Sequence, residues 1–368
     1  MTELDLAPAS QATALAVLLE SAATTHALVD YRGVLTPREL DAPVAETAAL
    51  TRTAAVHDLG WLKRVAVRGE DRFRWLSGMV TNMVTNLADK AGAWNLVLNA
   101  QGRIQGDLTV WREGELLELE IEAGQFDKLL AHLERFIIMD DVELVPLIGE
   151  VALGLTGPVA DEVLARLSLP ALSAPLTTTR VEWNGVDLLI ARGYGVLAEH
   201  YALWAPEAHI GMLWKFLRTA GTTPAGCASV DAFRIAEGIP AYGIDMLERD
   251  LPQETSQMRA LHFNKGCYLG QEIVERIHSR GHVHRHLRQL ELVGPVPTAG
   301  TELTFDGGAV AGQITSAAGL PLAQGSRVFA LGMMRGEAEL RSQPFTYTVG
   351  TETGTAHILA SPPDFDRN

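Results

Sequence analysis

The spacing of apolar residues changes between two periods along the chain, and each period predicts a different element. Trp61–Arg68 alternates as a half-buried strand does, whereas Asp71–Met79 carries apolar residues at helical spacing. Further strands are predicted at Trp94–Asn99, Ile104–Trp111, Leu116–Ile121, Val142–Val145, Val151–Leu155 and Tyr201–Trp204. Further helices are predicted at Leu40–Thr53, Gln125–Phe136, Gly157–Leu167, Glu207–Thr219 and Cys227–Glu237. This order of strands and helices predicts an antiparallel α+β fold.

The pattern becomes simpler after Leu287, where short apolar runs alternate with glycine-containing turns. Strands are predicted at Leu290–Val293, Leu303–Phe305, Ala309–Ser316, Val328–Met333 and Phe345–Val349. Short strands in close succession are typical of a small β-barrel. Before this region, Asn184-Gly185 predicts a hairpin within Val181–Ala191, and Pro170–Thr179 is predicted to be a loop.

Composition and charge describe an ordinary globular chain with an acidic surface. Its 368 residues are enough for two or three domains, and 47% hydrophobic residues supply material for real cores. The formal net charge of -15 argues against a general nucleic-acid or membrane-surface binder but leaves room for a local basic pocket. Two cysteines cannot form a disulfide framework, and the N-terminal twenty residues contain no Lys or Arg. We therefore predict a cytoplasmic protein without an export signal.

The segment Phe263–Arg288 concentrates unusual chemistry. Lys265 precedes Cys267 by two residues, and a nearby cation favours the reactive thiolate. Within this segment, Arg276–Arg288 holds four Arg, four His and no acid, which suggests a site for an anion. The alternative is that Cys267 is a small buried core residue, as most free cysteines are.

A metal site is a second interpretation of this segment. His282, His284 and His286 alternate, so they would share one face of a strand, and with Cys267 or His278 they could form a mixed nitrogen and sulfur site. However, the sequence has no CxxC or HxxxC pairing. We therefore predict no metal and favour a solvated or anion-facing basic strand.

The order of residues in the same segment resembles a known family signature. Lys265–Glu272 has the sequence K-G-C-Y-L-G-Q-E, followed by Arg276 and the run His278–Arg285. This order is similar to the signature of the YgfZ group of folate-binding proteins, relatives of the glycine-cleavage T-protein, a tetrahydrofolate-dependent aminomethyltransferase. Shorter elements that resemble the same superfamily lie at Gly69–Asn82, Gly157-Pro158, Arg234–Pro240 and Leu251–Glu254.

The resemblance covers residues 26–350 and implies a three-domain arrangement around a central opening. It implies a T-protein-like ring of two mixed α+β, ferredoxin-like domains and a C-terminal β-barrel. The expected folate-binding domain is discontinuous, residues 26–52 and 146–282, and the second α+β domain is residues 53–145. The barrel is expected at 283–355, with tails or a peripheral helix at 1–25 and a tail at 356–368.

The resemblance also implies a folate site and a working thiol. Cys267 would be the working residue, with Lys265 beside it. A reduced folate needs an apolar slot with a few polar groups, and cations for its glutamate carboxylates, which Arg280 and Arg285 would suit. The candidate residues for binding tetrahydrofolate or a derivative are Asp107, Tyr194, Glu199, Arg234, Tyr268, Gln271, Glu272, Arg280 and Arg285. Arg234 lies one helical turn from Glu237, so an ordinary helix ion pair is the alternative for it.

Two departures separate this chain from the aminomethyltransferase pattern. The T-G-E that follows R-x-G-Y in that enzyme is absent after Tyr194, and Glu199 is the candidate substitute. Gly106 stands where the enzyme has the first of two aspartates, and only Asp107 remains. An acid that stabilises developing charge would then be missing, so we predict no glycine-cleavage transferase activity.

The resemblance therefore implies a folate-dependent accessory role in iron–sulfur protein maturation and tRNA thiomodification. Its partners would be folate and an iron–sulfur client enzyme. A second hypothesis is a tetrahydrofolate-dependent aminomethyltransferase or demethylase. A third is a folate sensor in which Cys267 is dispensable. Turnover with tetrahydrofolate and an amine donor distinguishes the second hypothesis from the other two.

Overall fold

One large sheet and a C-terminal barrel organise the fold of the computed structural model, which describes residues 10–22, 26–305, 308–340 and 343–365. The strands in chain order are β1 (Leu28–Tyr31), β2 (Val34–Pro37), β3 (Ala55–Asp58), β4 (Leu62–Arg68), β5 (Ala91–Leu98), β6 (Ile104–Glu113), β7 (Leu116–Glu122), β8 (Glu143–Leu147), β9 (Glu150–Gly157), β10 (Thr177–Trp183), β11 (Val186–Arg192), β12 (Glu199–Pro206), β13 (Thr223–Ala225), β14 (Arg285–Val293), β15 (Glu302–Thr304), β16 (Val310–Leu322), β17 (Gly325–Arg335), β18 (Phe345–Val349) and β19 (Glu352–Ile358). The helices are α1 (Ala14–Ser21), α2 (Pro43–Arg52), α3 (Arg72–Met79), α4 (Ala123–Glu134), α5 (Ala160–Arg166), α6 (Ile210–Thr219), α7 (Cys227–Ala236), α8 (Gln271–Arg280) and α9 (Gly336–Glu339). Within the described residues, no helix has the length and hydropathy needed to cross a membrane.

The large sheet consists of two halves joined at a short contact. Its strand order is β13-β3-β9-β12-β11-β10-β5-β6-β7-β4-β8, and the pairs are antiparallel except β13 with β3. The halves meet where Thr177 of β10 pairs with Ala91 of β5. Helices α5 and α6 pack behind the first half, and α3 and α4 pack behind the second. The predicted antiparallel α+β class is confirmed.

The pleat of each strand decides which side chains face the helices and which face the centre of the molecule. In β7, Leu117, Leu119 and Ile121 are buried against α3 and α4. Because strand side chains alternate between the two faces, the residues between them point away from that core. Burying such an apolar side chain contributes roughly 1.5–3 kcal/mol, which fixes the register of the strand.

The C-terminal strands close into the predicted barrel, in the order β14-β17-β16-β15-β18-β19. Helix α7 packs against the outside of this barrel, and Ala232, Ile235 and Ala236 of the helix share a core with Phe329 and Leu331 of β17. The barrel thereby holds one face of α7, and the other face of the helix is directed toward the centre of the molecule.

Some local expectations were wrong. The segment Pro170–Thr179 is not entirely a loop, because β10 begins at Thr177 and extends the hairpin with β11. The hairpin itself is confirmed, since Trp183 pairs with Val186 across Asn184-Gly185.

The segment expected as an N-terminal tail or peripheral helix contains α1, whose residues Leu15 and Ala16 are each 1% exposed. They pack into the core of the first half-sheet, so residues 14–21 are part of the fold. At the other end, Phe365 is buried against Phe329, within the expected tail 356–368. Residues 1–9, 23–25 and 366–368 of these expected tails lie outside the described part of the chain.

The expected domain boundary at residue 53 also needs revision. Strand β3 pairs with β9 and β13, which belong to the first half of the sheet. We therefore propose that the boundary lies after Asp58 and that the second α+β domain begins near Leu62.

Candidate functional site

A cavity of about 360 Å³ lies between β6 and β7 of one half-sheet, β9 and β12 of the other, and helix α7. Its wall is rich in aromatic rings, which are Tyr31, Trp61, Trp94, Trp111, Tyr194, Tyr201 and Phe233. Its ionisable side chains are Arg32, His57, Asp107, Glu120, Glu122, His200, Arg234, Glu237 and Arg259. The volume and the aromatic wall suit a small planar organic ligand held by a few polar groups.

Strand alternation places the acids on the cavity wall. Asp107 and Thr109 of β6 alternate with buried apolar residues, and Thr109 is paired with Glu120 of β7. Glu120 and Glu122 therefore share a face with Asp107. Burial raises the pKa of both Glu120 and Glu122 to about 7.

Asp107 is the acid with the most defined geometry in the cavity. Trp94 Nε1 donates to its Oδ2 at 2.8 Å, and Gln125 Nε2 donates to its Oδ1 at 2.8 Å. Burial raises the pKa of Asp107, while these two hydrogen bonds act in the opposite direction. Each carboxylate oxygen keeps a further lone pair, so Asp107 can accept hydrogen bonds from a ligand.

Position 106 has no acid, as the sequence shows, and the structure shows that this position does not face the cavity. A Cβ atom at Gly106 would lie 2.7 Å from Oε1 of Gln125 and 2.8 Å from Cδ1 of Leu129, both on α4. Position 106 therefore faces α4 and has no room for a side chain. The next residue, Asp107, is the one that faces the cavity.

A buried polar chain forms another part of the wall. His57 Nε2 lies 3.0 Å from the hydroxyl of Thr156, which lies 3.3 Å from Nδ1 of His200. Nε2 of His200 lies 2.8 Å from Oε2 of Glu237. Burial lowers the pKa of His57 to about 4, so this ring is neutral at pH 7. Burial acts to raise the pKa of Glu237, but the pKa is lowered because the charge and hydrogen bond of His200 and the hydrogen bonds from Leu197 and Val196 together outweigh burial.

Glu237 also fixes the loop after β11. Its Oε1 accepts hydrogen bonds from the backbone N–H groups of Val196 and Leu197, each at 2.9 Å. The alternative interpretation of Arg234 and Glu237 as a helix ion pair is therefore wrong, since Glu237 binds this loop and His200. Sequence inspection missed these residues because their partners are distant in the chain.

Arg234 lies between the cavity and the barrel. Its Nε donates to Oδ1 of Asp231 at 2.8 Å, and its Nη1 donates to Oδ2 of Asp245 at 2.8 Å. The other oxygen of Asp245 accepts from the hydroxyls of Thr315 and Ser316 of β16, each at 2.6 Å. This buried network connects α7 to the barrel.

Tyr194 and Glu199, the candidates near the missing T-G-E, lie in different places. Tyr194 lines the cavity, and its ring stacks on the guanidinium of Arg259. Glu199 is not part of the cavity wall, and its carboxylate lies 3.4 Å from Arg192. Glu199 therefore does not replace the missing acid inside the cavity.

The K-G-C-Y motif lies outside the cavity wall and separates its two reactive side chains. Cys267 is exposed, whereas Lys265 is only 5% exposed. The Lys265 ammonium donates to the carbonyls of Ser77 and Val80 at the C-terminal end of α3, each at 2.6 Å. Burial lowers the pKa of Lys265 to about 7. Lys265 thus caps a helix, and the expectation that it serves the thiol is not supported by its contacts.

We expect Lys265→Met to lower the free energy of unfolding by about 1–3 kcal/mol, because two buried carbonyls would lose their donor. Urea unfolding measures this change, with Lys63→Met at an exposed position of β4 as the control. A variant with unchanged stability would show that the two hydrogen bonds do not stabilise the fold.

The other motif residues also lie away from the cavity wall. Tyr268 is buried against Leu96 and Leu98, and Gln271 accepts from the backbone N–H of Tyr268 at 3.3 Å. Glu272 forms an exposed pair with Arg276 of the same helix.

The basic segment does not serve the cavity either. Arg280 is exposed, and Arg285 is held by Asp250 at 2.8 Å and Glu254 at 2.9 Å. The expectation that Arg285 is free for a ligand carboxylate was therefore wrong. Among the described residues, no three His, Cys, Asp or Glu side chains are grouped in a way that could hold a metal.

Comparison with known proteins places this architecture in a defined family. Residues 20–265 match the family model of the GCVT N-terminal domain. The chain is 25% identical over 289 residues to an aminomethyltransferase of Caldanaerobacter subterraneus subsp. tengcongensis. This alignment covers 76% of this chain and 77% of that protein. It is 29% identical over 273 residues to an aminomethyltransferase of Rubrobacter xylanophilus, and this alignment covers 73% of each chain.

A solved structure supports the same assignment at the level of the fold. The chain superimposes on the glycine cleavage system aminomethyltransferase T of Bartonella henselae with a TM-score of 0.86 and 21% identity, over 96% of this chain and 98% of that chain. The predicted T-protein-like ring of α+β domains and a C-terminal barrel is thereby confirmed. Because the family model matches more than half of the length of this chain, the chain belongs to the GCVT N-terminal domain family and to the T-protein superfamily.

Proposed function

We propose that this protein binds a reduced folate, tetrahydrofolate or a derivative, in the central cavity. The observation that carries the proposal is Asp107, a partly buried carboxylate on an aromatic wall that also includes Trp94 and Trp111. A pterin ring is planar and presents several N–H donors, so it matches an acceptor set among aromatic side chains. Neither oxygen of the Asp107 carboxylate forms a salt bridge with a cation among the described residues. Both oxygens can therefore accept hydrogen bonds from such a ligand.

We further propose an accessory role in iron–sulfur protein maturation and tRNA thiomodification, as in the YgfZ group, with Cys267 as the working thiol. The K-G-C-Y-L-G-Q-E motif and the exposure of Cys267 support this role. Since Cys267 is outside the cavity wall, the thiol would act on an iron–sulfur client protein at the surface, while folate occupies the cavity.

The second candidate is a tetrahydrofolate-dependent aminomethyltransferase or demethylase. Two observations favour it: Asp107 faces the cavity despite Gly106, and curated relatives are named aminomethyltransferase. In the transferase reaction the C–S bond between the aminomethyl group and the thiol of its carrier breaks, the carbon passes to tetrahydrofolate, giving methylenetetrahydrofolate, and ammonia and the free carrier thiol leave.

One pair of experiments distinguishes the two roles. The protein is incubated with tetrahydrofolate and the aminomethylated lipoyl carrier protein, and methylenetetrahydrofolate is measured. In parallel, wild-type and Cys267→Ser proteins are tested for complementation of a YgfZ-deficient cell. The accessory role predicts no turnover and a failure of Cys267→Ser to complement. Turnover near 1 per second that Cys267→Ser retains and Asp107→Asn loses would instead support the transferase.

The two cysteines should differ strongly in reactivity. Cys267 is exposed, whereas burial raises the pKa of Cys227 to about 12. Because the thiolate is the nucleophile, we expect iodoacetamide at pH 7.5 to label Cys267 at least 100-fold faster than Cys227. Mass spectrometry of the native protein measures both rates, with Cys267→Ser as the control. Faster labelling of Cys227 would contradict the assignment of the working thiol.

A further inference from the structure

Three arginines line the central cavity, and their partners differ. Arg32 is paired with Glu122, and Arg234 is paired with Asp231 and Asp245. Arg259 forms no salt bridge with any carboxylate of the described residues, and its Nε has no hydrogen-bond partner there. It is therefore the cavity arginine whose charge is left for something else to neutralise.

The position of Arg259 is nevertheless well defined. Its Cζ lies 3.7 Å from the ring centroid of Tyr194 and 4.8 Å from that of Trp94. Its carbonyl accepts a hydrogen bond from Nδ2 of Asn82 at 2.8 Å, which fixes the backbone. This stacking uses the faces of the guanidinium, and Tyr194 also forms a hydrogen bond with it, whereas Nε stays without a partner among the described residues.

The partial burial of the Arg259 charge without a carboxylate partner points to an anionic ligand. Burial lowers the pKa of Arg259, which means that its charge is partly removed from water without a carboxylate in contact. A buried cation is stabilised when an anion with hydrogen-bonding oxygens pairs with it. The charges of Glu237 and Asp107 act to raise the pKa of Arg259, but neither carboxylate is in contact with it.

We propose that Arg259 recognises a carboxylate of the cavity ligand and thereby selects ligands with an acidic tail. The proposal rests on folate binding in the cavity and names the group that reads the glutamate end of that ligand. Trp94 contacts both recognition groups, because its Nε1 donates to Asp107 and its ring stacks with Arg259. The cavity thus offers an acceptor for the donor-rich head of a ligand and, next to it, a cation for the carboxylate. This assigns to Arg259 the part that the sequence suggested for Arg280 and Arg285.

The test is a calorimetric titration with tetrahydrofolate monoglutamate at two or more salt concentrations. The proteins compared are wild type, Arg259→Met, Arg259→Lys and Arg249→Met, where Arg249 is an exposed arginine nearby on the same chain segment. We expect Arg259→Met to weaken binding roughly 10-fold or more, since a charge-assisted hydrogen bond is lost. We also expect a weaker salt dependence in Arg259→Met, because salt screens the lost attraction. Arg259→Lys should restore part of the affinity and most of the salt dependence, and Arg249→Met should behave as wild type.

Each other outcome is decisive. Equal affinity of wild type and Arg259→Met would overturn the inference, as would weaker binding with an unchanged salt dependence, which would indicate a structural role only. Absence of binding to wild type would instead contradict the proposed function. Thermal unfolding of each variant, compared with wild type, shows whether the fold is preserved. If Arg259→Met unfolds, Arg259→Lys decides: it is expected to bind more weakly than wild type and to keep most of the salt dependence, and wild-type affinity in Arg259→Lys would overturn the inference.

Discussion

Replacing Arg234 with Met is expected to lower the free energy of unfolding by about 3–5 kcal/mol, because it removes one partner of a buried ion pair. The side chain of Asp245 is 0% exposed, and that of Arg234 is 8% exposed. Without the guanidinium, Asp245 keeps only its hydrogen bonds to Thr315 and Ser316 and to the backbone N–H of Ala241. The uncompensated buried charge of Asp245 would therefore destabilise the contact between α7 and the barrel.

Urea unfolding at pH 7 measures this loss directly. The matched control is Arg276→Met, since Arg276 forms an exposed pair with Glu272 in which the two side chains are 64% and 82% exposed. An exposed pair of this kind contributes about 0–1 kcal/mol. If Arg234→Met cost no more than the control, the buried network would not hold α7 to the barrel.

The second large effect concerns ligand binding. Asp107→Asn is expected to weaken the binding of tetrahydrofolate between about 10-fold and 100-fold, because a hydrogen bond to a charged acceptor contributes roughly 1.5–3 kcal/mol. The substitution keeps the size of the side chain and allows an oxygen to remain near Trp94 or Gln125. The loss would therefore come from the missing acceptor and charge rather than from a cavity in the packing.

Calorimetric titration measures this effect, and Asp127→Asn on the exposed side of α4 is the control. The control removes a carboxylate from the same helix that carries Gln125, but away from the cavity. Unchanged affinity in Asp107→Asn would remove this carboxylate from the binding site.

The sequence predicted the elements well where a regular period was enforced by burial on one face. The alternation in β7 is an example, because Leu117, Leu119 and Ile121 bury against the helices behind the sheet. The same alternation concealed Glu120 and Glu122, which have the pattern of a solvent-exposed face. They line a cavity because the other half of the sheet lies over them. The local order of apolar and polar residues in β7 does not show that another part of the chain covers this face.

Charged partners were predicted poorly because closeness in sequence does not fix the direction of a side chain. Lys265 precedes Cys267 by two residues, yet its ammonium caps α3 while the thiol is exposed. Arg234 and Glu237 are spaced for a helix ion pair, but each finds its partner elsewhere. Asp245 connects Arg234 of α7 to the barrel, and Glu237 is held by His200 of β12 and by the loop after β11.

The central claim is that a reduced folate occupies the cavity between the two half-sheets. Titration of the wild-type protein with tetrahydrofolate, followed by calorimetry and by tryptophan fluorescence, tests it most directly. Trp61, Trp94 and Trp111 line this cavity, so occupancy should change the fluorescence. We expect saturable binding of one ligand per chain, a parallel change in fluorescence, and an affinity that falls as salt is raised. The absence of both heat and fluorescence change at every salt concentration would contradict the claim.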